Sequence, residues 1–179
     1  MKFGLDVPTT GQYADARILA QLAASASAAG WDGFFLWDVL LGDQPIIDPW
    51  IALTAIALQT SRIKIGLIVL PLPRHRPWLI ARQLANLDQL SQGRVICIVG
   101  TGHSERDFSS FGEEADPVIR AQQLDEGLQV LTGLWSDELF SFDGKHYQLD
   151  QIALYPKPVQ SPRIPLWVVG GWPNRRPFR

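Results

Sequence analysis

The sequence predicts an α/β protein in which βα units follow one another around a parallel sheet. Apolar runs typical of strands alternate along the chain with segments of helical periodicity. Phe3, Phe34, Ile65 and Val95 occupy matching places in the first four runs and lie 31, 31 and 30 residues apart, which is the length of one βα unit. The fourth run, residues 95–99, has no polar alternation and indicates a parallel strand covered on both faces.

The first two units begin with apolar runs at residues 3–7 and 33–37. A helix is predicted from Ala14 to Ala29, with Gly30 ending it. Its expected apolar stripe consists of Ile18, Leu19, Leu22, Ala23 and Ala26.

The second unit continues with a helix, and the third unit follows it. Asp48-Pro49 predicts an N-cap followed by proline at the first helical position, and the helix is expected to reach Thr60. Residues 63–70 form the third strand run, and Pro77 opens a helix expected to end at Gly93.

An insertion is predicted before the fifth strand run, residues 164–169, because Leu166 lies 71 residues after Val95. The insertion contains a helix and a hairpin at 140–147, in which Asp143-Gly144 is expected to form a two-residue turn. About five βα units do not close a barrel, which takes eight strands, so residues 1–179 are expected to form a single, C-terminally truncated domain. The predicted helix of the insertion is marked by Leu124, Leu128, Leu131 and Trp135.

Composition predicts a soluble globular protein, with 46% hydrophobic and 19% charged residues. The net charge of −2 and the lack of like-charge blocks argue against nucleic-acid and membrane partners. Neither a signal peptide nor a bilayer-spanning run is expected. Cys97 is the single cysteine and cannot form an intrachain disulfide, so the cytoplasm is the expected location.

Three junctions at the carboxyl ends of strands are candidate sites, because parallel sheets place their chemistry at that edge. Asp38 either faces a ligand or hydrogen-bonds the loop after it. Gly100-Thr101-Gly102 either exposes backbone N–H groups to a flat ligand or phosphate, or forms an ordinary tight turn. Gly170-Gly171 with Asn174 either forms a phosphate nest or is a solvated terminus.

Other motifs are weaker. The G-x-G-x-x-G fingerprint fails because position 105 is Glu105. Residues 102–106 nearly match the G-x-S-x-G elbow, but Arg106 replaces the final glycine, so a serine hydrolase using Ser104 is a distant alternative. No metal is expected, because His75, His103 and His146 share no ligand spacing. The segment 74–76 is expected to be a solvated loop rather than a contact to an anionic cofactor.

Several stretches together resemble the amino-terminal part of the bacterial luciferase-like monooxygenase family. The resemblance implies a partial (β/α)8 TIM barrel of about five units, with a helix and β-hairpin inserted between strands four and five. The matching stretches are 29–38, 48–53, 60–66, 82–94, 124–128, 133–135, 156–160 and 167–171.

The family implies reduced FMN, or alternatively the deazaflavin F420, at the carboxyl-terminal mouth. FMN members use oxygen to oxygenate a small organic substrate, and F420 members exchange a hydride. A flavin reductase is a possible partner for the FMN reaction. A homo-oligomer is also expected, since unpaired sheet edges invite pairing. A remnant that only binds flavin or self-associates is the non-catalytic alternative.

By position, the resemblance implies catalytic roles for Asp38 and His103. The ring is expected near Asp38, Val39, Ile68, Val69, Gly100, Thr101 and Gly102, and the phosphate near Gly170, Gly171 and Asn174. A cis peptide is expected at Ile68–Val69. Val39 departs from the family, which commonly has histidine there, and an apolar side chain cannot shuttle a proton.

Overall fold

Parallel strands alternate with helices in the computed structural model, which describes residues 1–136 and 138–170. The strands are β1 (Gly4–Val7), β2 (Gly33–Leu36), β3 (Lys64–Leu67), β4 (Leu70–Pro71), β5 (Cys97–Gly100), β6 (Phe140–Asp143), β7 (Gln148–Ile152) and β8 (Leu166–Val168). The helices are α1 (Ala16–Ala28), α2 (Pro49–Gln59), α3 (Pro77–Ser91), α4 (Arg106–Ser109) and α5 (Pro117–Trp135). Short 3₁₀ turns cover Gly11–Tyr13 and Leu72–Arg74.

The parallel sheet has the order β1, β2, β3 in one part and β4, β5, β8 in the other. A parallel bridge between Ile65 and Val95 joins the two parts. In the register, Phe34 lies beside Ile65, and Ile98 lies beside Trp167. The predicted succession of parallel βα units is therefore confirmed, and every strand of the sheet ends at the same edge.

Alternate side chains of the strands face opposite sides of the sheet, as the pleat requires. Phe34 and Leu36 of β2 join the large core formed with the helices. Phe35, between them, packs on the other side with Ile96, Ile98 and Ile68. Residues 95–99 are all buried, as expected of a strand covered on both faces.

Helix starts agree with the capping signals. Asp48 accepts hydrogen bonds from the backbone N–H groups of Trp50 and Ile51, and Pro49 is the first helical residue. Asp15 caps α1 in the same way through Arg17, so α1 begins two residues later than predicted. The tight hydrogen bonds and ion pair with Arg17 lower the pKa of Asp15 to about 2.

The third strand run is not one strand. The peptide bond between Ile68 and Val69 is cis, and it lies between β3 and β4. The cis bond falls where the family resemblance places it.

The hairpin of the insertion is confirmed, but its predicted two-residue turn is wrong. Asp143 pairs with Gln148, and the Gly144 N–H donates to the carbonyl oxygen of Tyr147 at 2.9 Å, so Lys145 and His146 lie at the tip instead of Asp143 and Gly144. The reason is Glu126 of α5, whose carboxylate accepts hydrogen bonds from the N–H groups of Lys145, His146 and Tyr147. These bonds fasten the tip of the hairpin to α5.

Within the described residues, no helix combines the length and the hydrophobicity that a membrane span requires.

Candidate functional site

The loops at the carboxyl edge of the sheet bring the predicted site residues together. Asp38 follows β2, Arg74 and His75 follow β4, Gly100 ends β5, and Gly170 follows β8. Because these strands all run parallel and the Ile65–Val95 bridge joins the two parts of the sheet, the four loops lie along one rim.

Asp38 is the centre of a buried ion-pair cluster. Its side chain is 7% exposed, and its Oδ1 accepts a hydrogen bond from Arg74, whose side chain is 6% exposed. Arg74 also donates to the Asp38 carbonyl oxygen at 3.3 Å and pairs with Asp107 of α4 at 3.5 Å. His75 Nε2 lies 3.2 Å from Asp38 Oδ2. One arginine thus ties the loops after β2, β4 and β5 to each other.

The expectation of a solvated loop at 74–76 is wrong for Arg74 and His75. A buried carboxylate such as Asp38 needs a counter-charge and hydrogen-bond donors, and these two residues supply them. Arg76 is exposed, and its guanidinium lies over the ring of Trp78.

A cavity of about 560 Å³ opens beside this cluster. Asp38, Arg74 and His75 contribute polar groups to its lining, and most of the other lining residues are apolar. That volume suits a small organic molecule. The rest of the lining comes from Val39, Leu40, Ile46, Ile47, Asp48, Pro49, Trp50, Phe111 and Glu113.

The loop after β5 comes close to the cis peptide. A Cβ on Gly100 would lie 2.9 Å from Val69 Cγ1, so glycine permits the close approach of the two segments. Gly102 has a φ of +83°, and a Cβ there would lie 2.9 Å from the ring of Phe108. Close packing therefore explains why both positions are glycine. Without side chains, they also leave the backbone uncovered at the rim.

Arg120 is a site residue that the sequence reasoning missed. It lies on α5 with only 6% exposure, and its guanidinium stacks 4.5 Å from the centre of the Phe108 ring. It donates to the carbonyl oxygens of Thr101 and Gly102 at 3.3 and 3.4 Å, while its Nε has no partner among the described residues. Arg120 lies four residues before Leu124, which places its charge on the apolar stripe of the helix. That unusual position is the sequence signal that could have identified it.

Two predicted residues lie away from the cavity. His103 is exposed and makes no side-chain hydrogen bond within the described part of the chain, so its catalytic role stays a prediction. Ser104 Oγ accepts from the Asp107 N–H at 3.4 Å, and no described histidine is bonded to it, as a hydrolase would need. Gly171 and Asn174 lie outside the described residues.

Comparison with known proteins decides the family. The family model described as luciferase-like monooxygenase matches residues 1–175. The chain belongs to the luciferase-like monooxygenase family. Its fold is accordingly the α/β fold of luciferase-like TIM-barrel enzymes, in agreement with the sequence prediction.

Family relatives of known name include oxidoreductases. An F420-dependent glucose-6-phosphate dehydrogenase of Kineococcus radiotolerans is 31% identical over 163 residues, which cover 87% of this chain and 47% of that protein. The chain spans about half the length of the curated luciferase-like relatives that it matches.

Solved luciferase-like structures superpose closely. An F420-dependent secondary alcohol dehydrogenase, in complex with an F420–acetone adduct, gives a TM-score of 0.83 at 26% identity, covering 94% of this chain and 52% of that one. The FMN complex of the oxygenating constituent of 3,6-diketocamphane monooxygenase, from Pseudomonas putida, gives 0.80 at 22% identity, covering 94% and 51%. The second likeness shows the fold alone.

Proposed function

We propose that this chain forms the cofactor-binding part of an F420-dependent oxidoreductase acting on a small organic substrate. The observation that supports this most is the single rim on which the Asp38 cluster, the Val69–Gly100 contact and Arg120 lie side by side. The named relatives with 31 and 30% identity are F420-dependent, which favours the deazaflavin.

The residues present fit a flat ring with an anionic tail. Ile68 and Val69 offer an apolar surface beside Gly100, where no side chain covers the backbone. Arg120 offers a buried positive charge without a carboxylate partner among the described residues, next to the carbonyls of Thr101 and Gly102. A phosphate is the natural partner of such a guanidinium.

When bound, the deazaflavin supplies hydride transfer. The chain's own residues position the molecules. Val39 and the cavity's other apolar residues give the substrate an apolar surface, while Asp38 is held by Arg74 and His75. Val39 cannot exchange a proton, so any proton at this rim is handled by another residue.

FMN, expected first from the sequence, is the second candidate. It shares the flat ring and the phosphate with F420, so the same rim suits it, and an FMN complex is among the structures of the same fold. With FMN, we propose a monooxygenase that depends on a separate flavin reductase.

Titration of the chain with F420 and with FMN, followed by fluorescence polarisation, tests the proposal. We expect saturable binding of F420, at least about threefold tighter than that of FMN, a difference of roughly 0.65 kcal/mol. Gly100→Ala, which adds a methyl group between Val69 and the ring, should weaken F420 binding. Gly42→Ala is the matched control, since its Cβ would make an ordinary contact with Ile46 at 3.4 Å. Absence of saturable binding for both cofactors contradicts the proposal.

Self-association is part of the same proposal. Trp167, Val168 and Val169 of β8 and the residue after it are 51, 44 and 48% exposed, although they are apolar and lie along the sheet. A second copy that covers this surface would bury them. Light scattering coupled to gel filtration should show a dimer or larger species at micromolar concentration, and a monomer would contradict this part.

A further inference from the structure

We infer that His75 determines the specificity of the cavity, by accepting a hydrogen bond from the hydroxyl group of a mainly apolar alcohol through Nδ1. This inference rests on the proposed function, since it names the substrate chemistry of the same rim. His75 contributes to the cavity lining, and its side chain is 26% exposed.

The contact with Asp38 fixes the role of each ring nitrogen of His75. A carboxylate only accepts hydrogen bonds, so the nitrogen 3.2 Å from Asp38 Oδ2, which is Nε2, must be the donor. The neutral ring therefore has its proton on Nε2 and a free lone pair on Nδ1. Nδ1 makes no hydrogen bond to residues 1–136 or 138–170. It is not buried either, so a ligand can reach it.

Asp38 is in turn held rigidly. Its other carboxylate oxygen, Oδ1, pairs with Arg74, and Arg74 also contacts Asp107. Asp38 is therefore a positioning residue, which keeps the imidazole in one tautomer and one orientation. A lone-pair acceptor prefers a ligand that donates, so the cavity should favour an alcohol over the ketone of the same shape.

The remaining lining indicates the rest of the ligand. Val39, Leu40 and Phe111 are apolar, and the carboxylate of Asp48 is occupied by the first N–H groups of α2. The charge of Arg74 is already matched by two carboxylates, and Glu113 adds a further negative charge. The described lining thus has no free cation for a phosphate. A sugar phosphate should bind here poorly, although the named relatives of this chain act on glucose 6-phosphate.

The test uses three probes with the whole chain: cyclohexanol, cyclohexanone and glucose 6-phosphate. Two-bond ¹H–¹⁵N spectra at about pH 8, where histidine in solution is neutral, report the tautomer of His75 directly. We expect the Nε2–H form in the free chain and a saturable shift of the Nδ1 resonance with cyclohexanol. Cyclohexanone should bind at least about fivefold more weakly, in line with one lost hydrogen bond of about 1 kcal/mol. Glucose 6-phosphate should leave the resonance unchanged.

Variants separate a binding role from a structural one. His75→Gln should bind cyclohexanol and cyclohexanone equally, because its amide both donates and accepts. His146→Gln is the matched control, a half-buried histidine whose Nε2 contacts Gln122 outside the cavity, and it should keep the preference for the alcohol. Asp38→Asn should mix the two tautomers of His75. If Asp38 had only a structural role, the tautomer of His75 would stay unchanged.

Several results would overturn the inference: an Nδ1–H tautomer in the free chain, equal binding of alcohol and ketone, or tighter binding of the sugar phosphate. The outcome is separable from that of the proposed function. F420 binding without a response of His75 refutes the role of His75 alone, whereas a selective response of His75 without F420 binding refutes the cofactor proposal alone.

Discussion

Gly66 and Ile96 pack backbone to backbone: a Cβ on Gly66 would collide with the carbonyl oxygen of Ile96. This contact lies where β3 meets the segment leading into β5, beside the Ile65–Val95 bridge. The two parts of the sheet are therefore joined at a place where only glycine fits.

Gly66→Ala should destabilise the fold by about 1–3 kcal/mol, because a carbonyl oxygen of the sheet cannot move aside as a flexible side chain could. Urea unfolding followed by circular dichroism measures the change. Gly42→Ala, whose Cβ meets a side chain at 3.4 Å, is the control and should change the free energy of unfolding by less than about 0.5 kcal/mol. Equal stability of the Gly66 variant and the wild type would show that the two segments are not in contact.

The Asp38–Arg74 ion pair predicts strong coupling. Arg74→Met alone leaves a buried carboxylate without its main partner and should destabilise the chain by about 3–5 kcal/mol. In the double variant with Asp38→Asn, much of that loss should be recovered, because the unpaired charge is gone. A double-mutant cycle in urea measures the coupling energy, and additive effects of the two substitutions would contradict the buried pair.

Glu126 predicts a pH-dependent anchor for the hairpin loop. Burial raises the pKa of this carboxyl, but hydrogen bonds from the N–H groups of His146, Lys145 and Tyr147 outweigh burial, and the net effect lowers the pKa from its usual 4.5. A carboxyl whose pKa is lowered on folding stabilises the fold above its unfolded pKa. That contribution is lost as the pH falls through the folded value.

Glu126→Gln should therefore cost stability at pH 7, by about 1 kcal/mol given the partial exposure of the group, and much less at pH 3. Asp150→Asn, which changes an exposed acid of β7, is a charge-matched control. Urea unfolding of wild type and both variants at the two pH values measures the difference. The same loss for Glu126→Gln at both values would contradict an ionised anchor.

Much of the fold could be predicted because its signals are local. The proline after Asp48 and the apolar run at 95–99 are each determined by neighbours in the sequence, and both gave the correct element. The position of the turn after Asp143 was predicted wrongly because Glu126, which binds the N–H groups of the turn, lies on a different element. Local turn chemistry cannot contain that contact.

The sequence predicted where the site lies but not which side chains contact each other there. Asp38 and Gly100 could be placed on the rim, since parallel strands end at one edge. The sequence of segment 74–76 does not show that Arg74 and His75 point inward. They do so because they pair with the buried carboxylate of Asp38, which belongs to another loop. Arg120 could have been noticed as a charge on the apolar stripe of α5, but its partners, Thr101 and Gly102, belong to a distant segment and could not be inferred.

A chemical-shift map of F420 binding tests most directly whether the loops at the carboxyl edge form one site. Backbone ¹H–¹⁵N spectra of the labelled chain are recorded as F420 is added. We expect the largest shifts to fall together on residues 38–39, 68–69, 100–102 and 170, with the amino ends of β1, β2 and β3 unaffected. Shifts centred on those amino ends, or scattered over both edges of the sheet, would contradict it.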